Sequence, residues 1–322
     1  MSEQYMLRVV KLSRFFGYGF LGRVKFPAVD NVSFDMEYKP KIFTIAGESG
    51  CGKSTLARMI LGILEPSEGA VIYKGKNIYA LKSKERRWFY REVQAIFQDP
   101  YDTFNPLKKV DRYLYETARN LLDLKDAGKT QDIVDACLKR VGLSFDEIKG
   151  KYPSEFSGGQ LQRISIARAL IPEPKLIVAD EPVSMIDASM RMNILNMFKE
   201  FKEAEEISFI YITHDLATAY YISDEIAIMY RGVIVEMGPA DEVLIKCHHP
   251  YTKALIEALP EPSRRDDWLT RKVKPPGMEV KEFIMPGCKY ADICPYREDI
   301  CEEKKPPMFD VGNVKTACWL YK

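Results

Sequence analysis

The chain of 322 residues lacks several features that would each place it in a class at once. No run approaches the roughly 18 apolar residues needed to cross a bilayer, and the start, MSEQYMLRVVKL, has no signal-like apolar stretch. The expectation is a chain on the cytoplasmic side that meets a membrane only through a partner. Long blocks of like charge are also missing: 47 Lys and Arg face 46 Asp and Glu, a formal charge of +1, so nothing general favours nucleic acid as a partner. Histidine is limited to three residues, and Asn and Gln together number 13 while Lys and Glu abound. That bias is found in thermophilic proteins, some of which keep intracellular disulfides. Cysteine is sparse at first, with Cys51, Cys137 and Cys247, and then crowded, with Cys288, Cys294, Cys301 and Cys318 near the end. Cytoplasmic thiols usually stay reduced, which favours metal binding or burial over disulfides. What is present is ample apolar material, 46% of residues, enough for one large domain with an appendage or for two domains.

The segment KIFTIAGESGCGKSTLARMILGIL opens with a strand-like run, Ile42 to Ala46, passes through a glycine-rich loop, and continues as a helical pattern from Ser54. This is the order a phosphate-binding loop requires. Gly47, Gly50 and Gly52, with Glu48, Ser49 and Cys51 between them, let backbone N–H groups turn toward an anion. Lys53 can reach the β and γ phosphates, Ser54 can ligate Mg²⁺, and Thr55 follows in the first helical turn. Cys51 reads either as a reactive thiol or as a small filler, and the filler is the plainer reading.

A second nucleotide signal is KLIVADEP, where a buried-strand run, Leu176 to Ala179, ends in Asp180 and Glu181. Carboxylates at the C-terminal end of a parallel strand sit where α/β sheets bind ligands. Asp180 suits the metal and Glu181 the attacking water, although Glu181 could instead cap the strand end. Between the two signals lies SEFSGGQLQRISIARAL, in which Ser157, Gly158, Gly159 and Gln160 precede a helical stretch from Leu161 to Leu170. It offers a second anion-binding helix start, and one ATP does not need two in one subunit.

Together these segments resemble the ATP-binding cassette (ABC) ATPases, and the resemblance runs from residue 7 to about 259. It implies an α/β fold: a P-loop core with strands near Ile42, Val93, Leu176 and Ser208, a helical subdomain inserted at about 101–170, and a small Cys-rich C-terminal extension. Domain bounds are expected at 1–258 and 259–322, with a linker from LPEPSRRDD through KPPG. By the same resemblance SGGQ is the signature motif, Gln98 in AIFQDP the Q-loop glutamine and a Mg²⁺ contact, Ser184 to Asp187 the D-loop, and His214 in YITHD the switch histidine. Phe16, in LSRFFGYG, aligns with the aromatic that stacks on adenine, with Phe15 adjacent and core roles open to both. Met185 and Ile186 depart from the usual D-loop, and Phe156 stands where many cassettes have leucine. His214 could also be a satisfied core histidine. His248 and His249 beside Cys247 raise the idea of a metal site, but adjacent side chains rarely converge on one ion, so a role in starting a helix is expected. Ile194, Phe198 and Phe201 mark the core face of an amphipathic helix.

FQDPYDTFNP, FSGGQ and HHPYTKAL make the chain most similar to the ATPase subunits of oligopeptide and dipeptide importers, in the F-type form. The resemblance implies a D-type cassette as heterodimer partner, two transmembrane permease subunits, an extracytoplasmic substrate-binding protein met indirectly, and no nucleic acid. It places the chain peripherally on the cytoplasmic face of the membrane. Lys53, Ser54, Thr55, Gln98, Asp180, Glu181 and His214 would serve one ATP, while Ser157 and Gly159 would reach the ATP of the partner. Peptide, oligosaccharide and nickel cargoes are not separated by these residues. A soluble ABC ATPase acting on ribosomes or DNA is the alternative, against which stand a single cassette and near-neutral charge.

Cys288, Cys294, Cys301 and Cys318 are separated by five, six and sixteen residues, with no CxxC pair. That spacing matches neither the common zinc-knuckle layout nor bacterial ferredoxins, so the pattern alone chooses no metal. The C-terminal extensions of peptide-importer ATPases share this GC, C, C, AC arrangement, and some hold a [4Fe–4S] cluster through it. The resemblance therefore implies such a cluster in a structural role, with zinc, disulfides and unliganded thiols as alternatives.

Overall fold

The computed structural model describes residues 4–18, 24–259 and 280–322, so all of the expected linker beyond Leu259 lies outside the described residues. In chain order the strands are β1 (Tyr5–Tyr18), β2 (Val24–Glu37), β3 (Ile42–Ala46), β4 (Glu68–Tyr73), β5 (Lys76–Asn77), β6 (Val93–Ile96), β7 (Leu176–Asp180), β8 (Ser208–Thr213), β9 (Glu225–Tyr230), β10 (Val233–Pro239), β11 (Phe309–Val311) and β12 (Val314–Thr316). β3, β7 and β8 read IFTIA, LIVAD and SFIYIT, and every residue of the three is buried. Such unbroken apolar runs are what a parallel sheet covered on both faces demands.

These strands belong to a sheet in the order β11-β12-β10-β9-β3-β8-β7-β6, parallel from β6 to β9 and antiparallel from β10 onward. Its register brings Ala46 opposite Thr213 and Asp180 opposite Ile212. The C-terminal ends of β3, β7 and β8 therefore lie side by side, and the segments that follow each of them converge. A second, antiparallel sheet, β2-β1-β4-β5, covers one face, where Leu7, Val9 and Val71 share a core with Ile45, Leu56 and Val178. Phe34 of β2 stacks on Phe43 of β3 with ring centres 4.7 Å apart.

The expected helical insertion is present between β6 and β7. Its helices are Pro100–Thr103, Val110–Leu122, Ala127–Arg140, Phe145–Ile148 and Gly158–Leu170. Leu114, Val134, Leu138, Leu161 and Ile164 are all fully buried between them and tie the insertion to the sheet through Ile177 and Phe209. Helix Ala188–Glu205 buries Ile194, Phe198 and Phe201, as their spacing predicts.

The cysteine-bearing extension packs on its own cassette. β12 pairs with β10 through Glu236↔Thr316 and Met237↔Lys315, which lengthens the central sheet by a hairpin. Tyr290 and Val314 are buried with Tyr230 and Tyr251, so the extension borrows a core it is too small to build.

Candidate functional site

From Ala46 the chain enters a loop in which Gly47, Gly50 and Gly52 have φ of 154°, 83° and 111°. At Gly52 the left-handed backbone is joined by close approach, since a Cβ there would lie 2.2 Å from the Ala28 carbonyl oxygen. The loop is thus pressed onto the end of β2 as helix Lys53–Ile60 begins. Lys53 is buried and folds back, its Nζ donating to the carbonyl oxygens of Gly47 and Glu48 at 2.8 Å each. Cys51 is fully buried and burial pushes its thiol up, which makes it the inert filler rather than a nucleophile.

Across the strand ends, Ser54 Oγ donates to Asp180 Oδ1 at 3.1 Å. Burial raises the Asp180 carboxyl above its usual range and the Ser54 hydrogen bond partly offsets this. A hydroxyl and a carboxylate at the mouth of a phosphate-binding loop are the hard oxygen donors that Mg²⁺ selects, so these residues fit that ion. Glu181 is set differently. Gln98 Nε2 donates to its Oε2 at 3.1 Å, and His214 Nδ1 lies 3.0 Å from its Oε1. Its backbone is in the left-handed region, φ 47°, fixed by Glu181 N donating to Ile212 O at 2.9 Å and by Ser184 Oγ donating to Glu181 O at 3.0 Å. A strained backbone held this firmly aims the carboxylate off the strand axis. Gln98 thus stands beside Glu181 rather than beside Ser54 and Asp180.

A cavity of about 400 Å³ is lined by Ser49, Gly50, Gly52 to Thr55, Gln98 and Glu181, while Asp180 and His214 do not line it and reach it only through Ser54 and Glu181. The rest of its lining is Ala28 and three aromatic rings, Phe16, Phe26 and Phe283. Phe15 is not in it, so of the two adjacent rings Phe16 is the one that faces the cavity. Phe26 and Phe283 carry no motif, and no local signal in the sequence marks either.

Ser157 starts helix Gly158–Leu170. Its Oγ accepts from Gln160 N at 3.3 Å, and Gln160 Oε1 accepts from Ser157 N at 3.0 Å, a reciprocal cap. None of Ser157, Gly158, Gly159 and Gln160 lines the cavity described above. Met185 beside them is exposed, and Asp187 precedes helix Ala188–Glu205.

All four C-terminal cysteines are free and border a second cavity, together with His249 and Tyr290. Burial, reinforced by the neighbouring thiols, pushes Cys288 up to about 11 and also raises Cys294 and Cys318. Among the described residues no three His, Cys, Asp or Glu side chains are disposed to hold a single metal ion. His249 starts helix Pro250–Glu257, its Nδ1 accepting from Tyr251 N at 3.0 Å, as expected of the HPYT segment. Tyr251 in turn offers its hydroxyl oxygen to Glu48 N of the glycine-rich loop at 3.4 Å.

The chain matches two families: ABC transporter over residues 29–184, and oligopeptide/dipeptide transporter, C-terminal region, over residues 235–301. Similar proteins include the oligopeptide transport ATP-binding protein OppF of Salmonella typhimurium, 40% identical over 87% of this chain and 83% of its own. The oligopeptide transport ATP-binding protein AppF of Bacillus subtilis is 36% identical over 94% and 91%. The di/tripeptide transport ATP-binding protein DppF of Pseudomonas aeruginosa is 35% identical over 93% and 91%. Among solved structures, cbiO1 of Clostridium perfringens, part of the ABC transporter complex cbiONQ, superposes with a TM-score of 0.62 at 25% identity, covering 79% of this chain and all of that one. The dimeric ATP-binding cassette MJ0796 bound to ADP and Pi, at 24% identity, a TM-score of 0.64 and coverage of 73% and 99%, shows the shared fold.

Proposed function

This chain belongs to the ATP-binding subunits of the oligopeptide/dipeptide ABC transporters and is an ATPase of a membrane importer, and from that premise we propose how its residues divide the work. The carrying observation is Glu181, whose two carboxylate oxygens are held by Gln98 and His214 at the edge of the glycine-loop cavity. Glu181 takes the proton of the attacking water, Gln98 and His214 orient it, and His214 also meets the γ-phosphate. Lys53 leaves the Gly47 and Glu48 carbonyls for the β and γ phosphates, which requires only a turn of a flexible side chain. Ser54 and Asp180 would hold Mg²⁺, which would supply positive charge against the phosphate oxygens, and Gln98 lines the same cavity as Ser54. Phe16 receives the adenine.

The cassette occupies residues 1–258 and the extension 259–322. The chain acts as an F-type subunit that closes head to tail on a D-type cassette, with Ser157 and Gly159 completing the partner's ATP site. Support comes from the FSGGQ form and from a signature helix start that lies outside this chain's own cavity. Two permease subunits anchor it at the cytoplasmic face of the membrane, a reading that rests on its family; among the described residues no helix is long and apolar enough to cross one. The cargo is a peptide, delivered by an extracytoplasmic binding protein, in keeping with the names its relatives carry. Cys288, Cys294, Cys301 and Cys318 would hold a [4Fe–4S] cluster whose role is structural, cross-linking the extension. Four free thiols bordering one cavity are a donor set that fits it.

Replacing Glu181 by Gln keeps a side chain able to hold water and removes the one able to accept its proton. Steady-state hydrolysis by the assembled transporter is expected to fall by ~10² to 10⁴ with ATP binding retained. A variant assembly turning over at more than half the parent rate would remove Glu181 from the role of base.

A further inference from the structure

We infer that Phe283, carried by the C-terminal extension, is part of the wall that receives the nucleotide base, so that the cysteine-bearing extension sets how tightly the cassette holds its nucleotide. The inference rests on reading the glycine-loop cavity as the ATP site and adds to it a residue from outside the cassette. Phe283 ends the short helix Val280–Phe283, is 5% exposed, and lines the same cavity as Phe16, Ser49 and Lys53. Its ring meets Phe26 edge to face at 5.9 Å, and Phe26 lies 6.0 Å from Phe16. Three rings from β1, β2 and the extension therefore form one apolar cluster in the cavity that the phosphate-binding loop also lines. Such a cluster suits the flat, sequence-tolerant π-face of a purine.

Two buried cations fix Phe283 in place, and both tie it to the cysteines or to the loop. Lys289, next to Cys288 and 3% exposed, donates from Nζ to the carbonyl oxygens of Phe283 at 2.5 Å and Met285 at 2.8 Å. Arg231, fully buried in the turn between β9 and β10, donates from Nη1 to the Lys289 carbonyl oxygen at 2.7 Å. Its Nη2 lies 3.1 Å from Asp292 and 3.3 Å from Glu282, one residue before Phe283. The next residue, Gly232, donates from its N to the Cys51 carbonyl oxygen inside the glycine-rich loop at 2.8 Å. The extension thus grips the turn that braces the loop, and places a ring at the base end of the cavity that the loop opens.

The test is nucleotide binding by the full chain, measured calorimetrically with Mg-ATP and with inorganic tripolyphosphate, which shares the phosphates and lacks the base. Phe283→Leu keeps apolar bulk and removes the ring. It is expected to weaken ATP about tenfold, the order for losing one aromatic face from a base, and to leave tripolyphosphate unchanged. Phe283→Tyr is expected to restore ATP affinity. Unchanged ATP affinity in Phe283→Leu, or an equal loss of both ligands, would overturn the inference, because the second pattern is that of a merely structural residue. Lys53→Ala tests the underlying reading separately: it must weaken both ligands, and if it weakens neither, the cavity is not the phosphate site whatever Phe283 does.

Discussion

His249 shows how one side chain can be bound to a pH range by its burial. It is 1% exposed, and burial lowers its pKa from 6.5 to about 3. The folded chain therefore keeps the ring neutral while the unfolded chain protonates it below 6.5, so the unfolded state binds the extra proton and stability falls with pH. The loss runs from about pH 6.5 downward at ~1.4 kcal/mol per unit for this one group. Glu236 and Asp180, raised by burial, act in the opposite sense as pH falls through their raised values. A variant comparison separates these effects: His249→Asn keeps a side-chain oxygen that can accept from Tyr251 N and removes the titrating ring. Urea unfolding at pH 7.0, 6.0 and 5.0 should give the variant an acid slope flatter than the parent's by about that amount, and parallel slopes would contradict the neutral buried ring. At this scale much was legible beforehand. Lys53, Ser54, Asp180 and Glu181 sit in short motifs whose chemistry dictates their residues, while Gln98 and His214 were legible only through the family resemblance; the fold bonds Ser54 to Asp180 and sets Gln98 and His214 on Glu181. Phe26 and Phe283 were not legible, because an aromatic wall assembled from distant segments leaves no local pattern.

Among the elements, the contrast between the glycine-rich loop and the extension follows from how far apart their partners lie in sequence. Strand β3, the loop and helix Lys53–Ile60 are contiguous, so hydrophobic pattern and glycine placement reveal them directly. The helical insertion was legible through the order of the motifs and the family resemblance, and the structure sets it between β6 and β7. The pairing of β12 with β10 joins Thr316 to Glu236, and neither strand, at three and seven residues, advertises its neighbour. The extension has an apolar contribution of its own, chiefly Phe283, Tyr290 and Val314, too little to fold without help. A cluster joining four thiolates would supply that help by cross-linking segments otherwise held only through the cassette. Anaerobically purified protein is therefore expected to be brown, to absorb broadly in the visible, and to contain about four irons per chain. Cys294→Ser is expected to lose the iron and to make residues 280–322 more sensitive to protease. Colourless anaerobic protein carrying one zinc, or carrying two disulfides, would contradict the cluster.

For the whole molecule, the decisive feature is what one chain leaves incomplete. Its cavity is lined by the phosphate-binding loop, by Gln98 and Glu181 and by three aromatic rings, and among the described residues no second helix start lines it. The helix start at Ser157 to Gln160 does not line that cavity, and Met185 beside it is exposed. An anion-binding helix end that meets no anion of its own subunit is explained if it serves a neighbour's. Gln98, at the entrance to the helical insertion, donates to Glu181, so the proposed closure of two cassettes would link the insertion to the catalytic carboxylate. The measurement that tests this most directly is the ATPase rate of the chain alone, shown by light scattering to be monomeric, against the rate after adding a D-type cassette and the two permease subunits. The composite site predicts a rate for the monomer far below that of the assembly. A monomer that hydrolyses ATP as fast as the full assembly would contradict it.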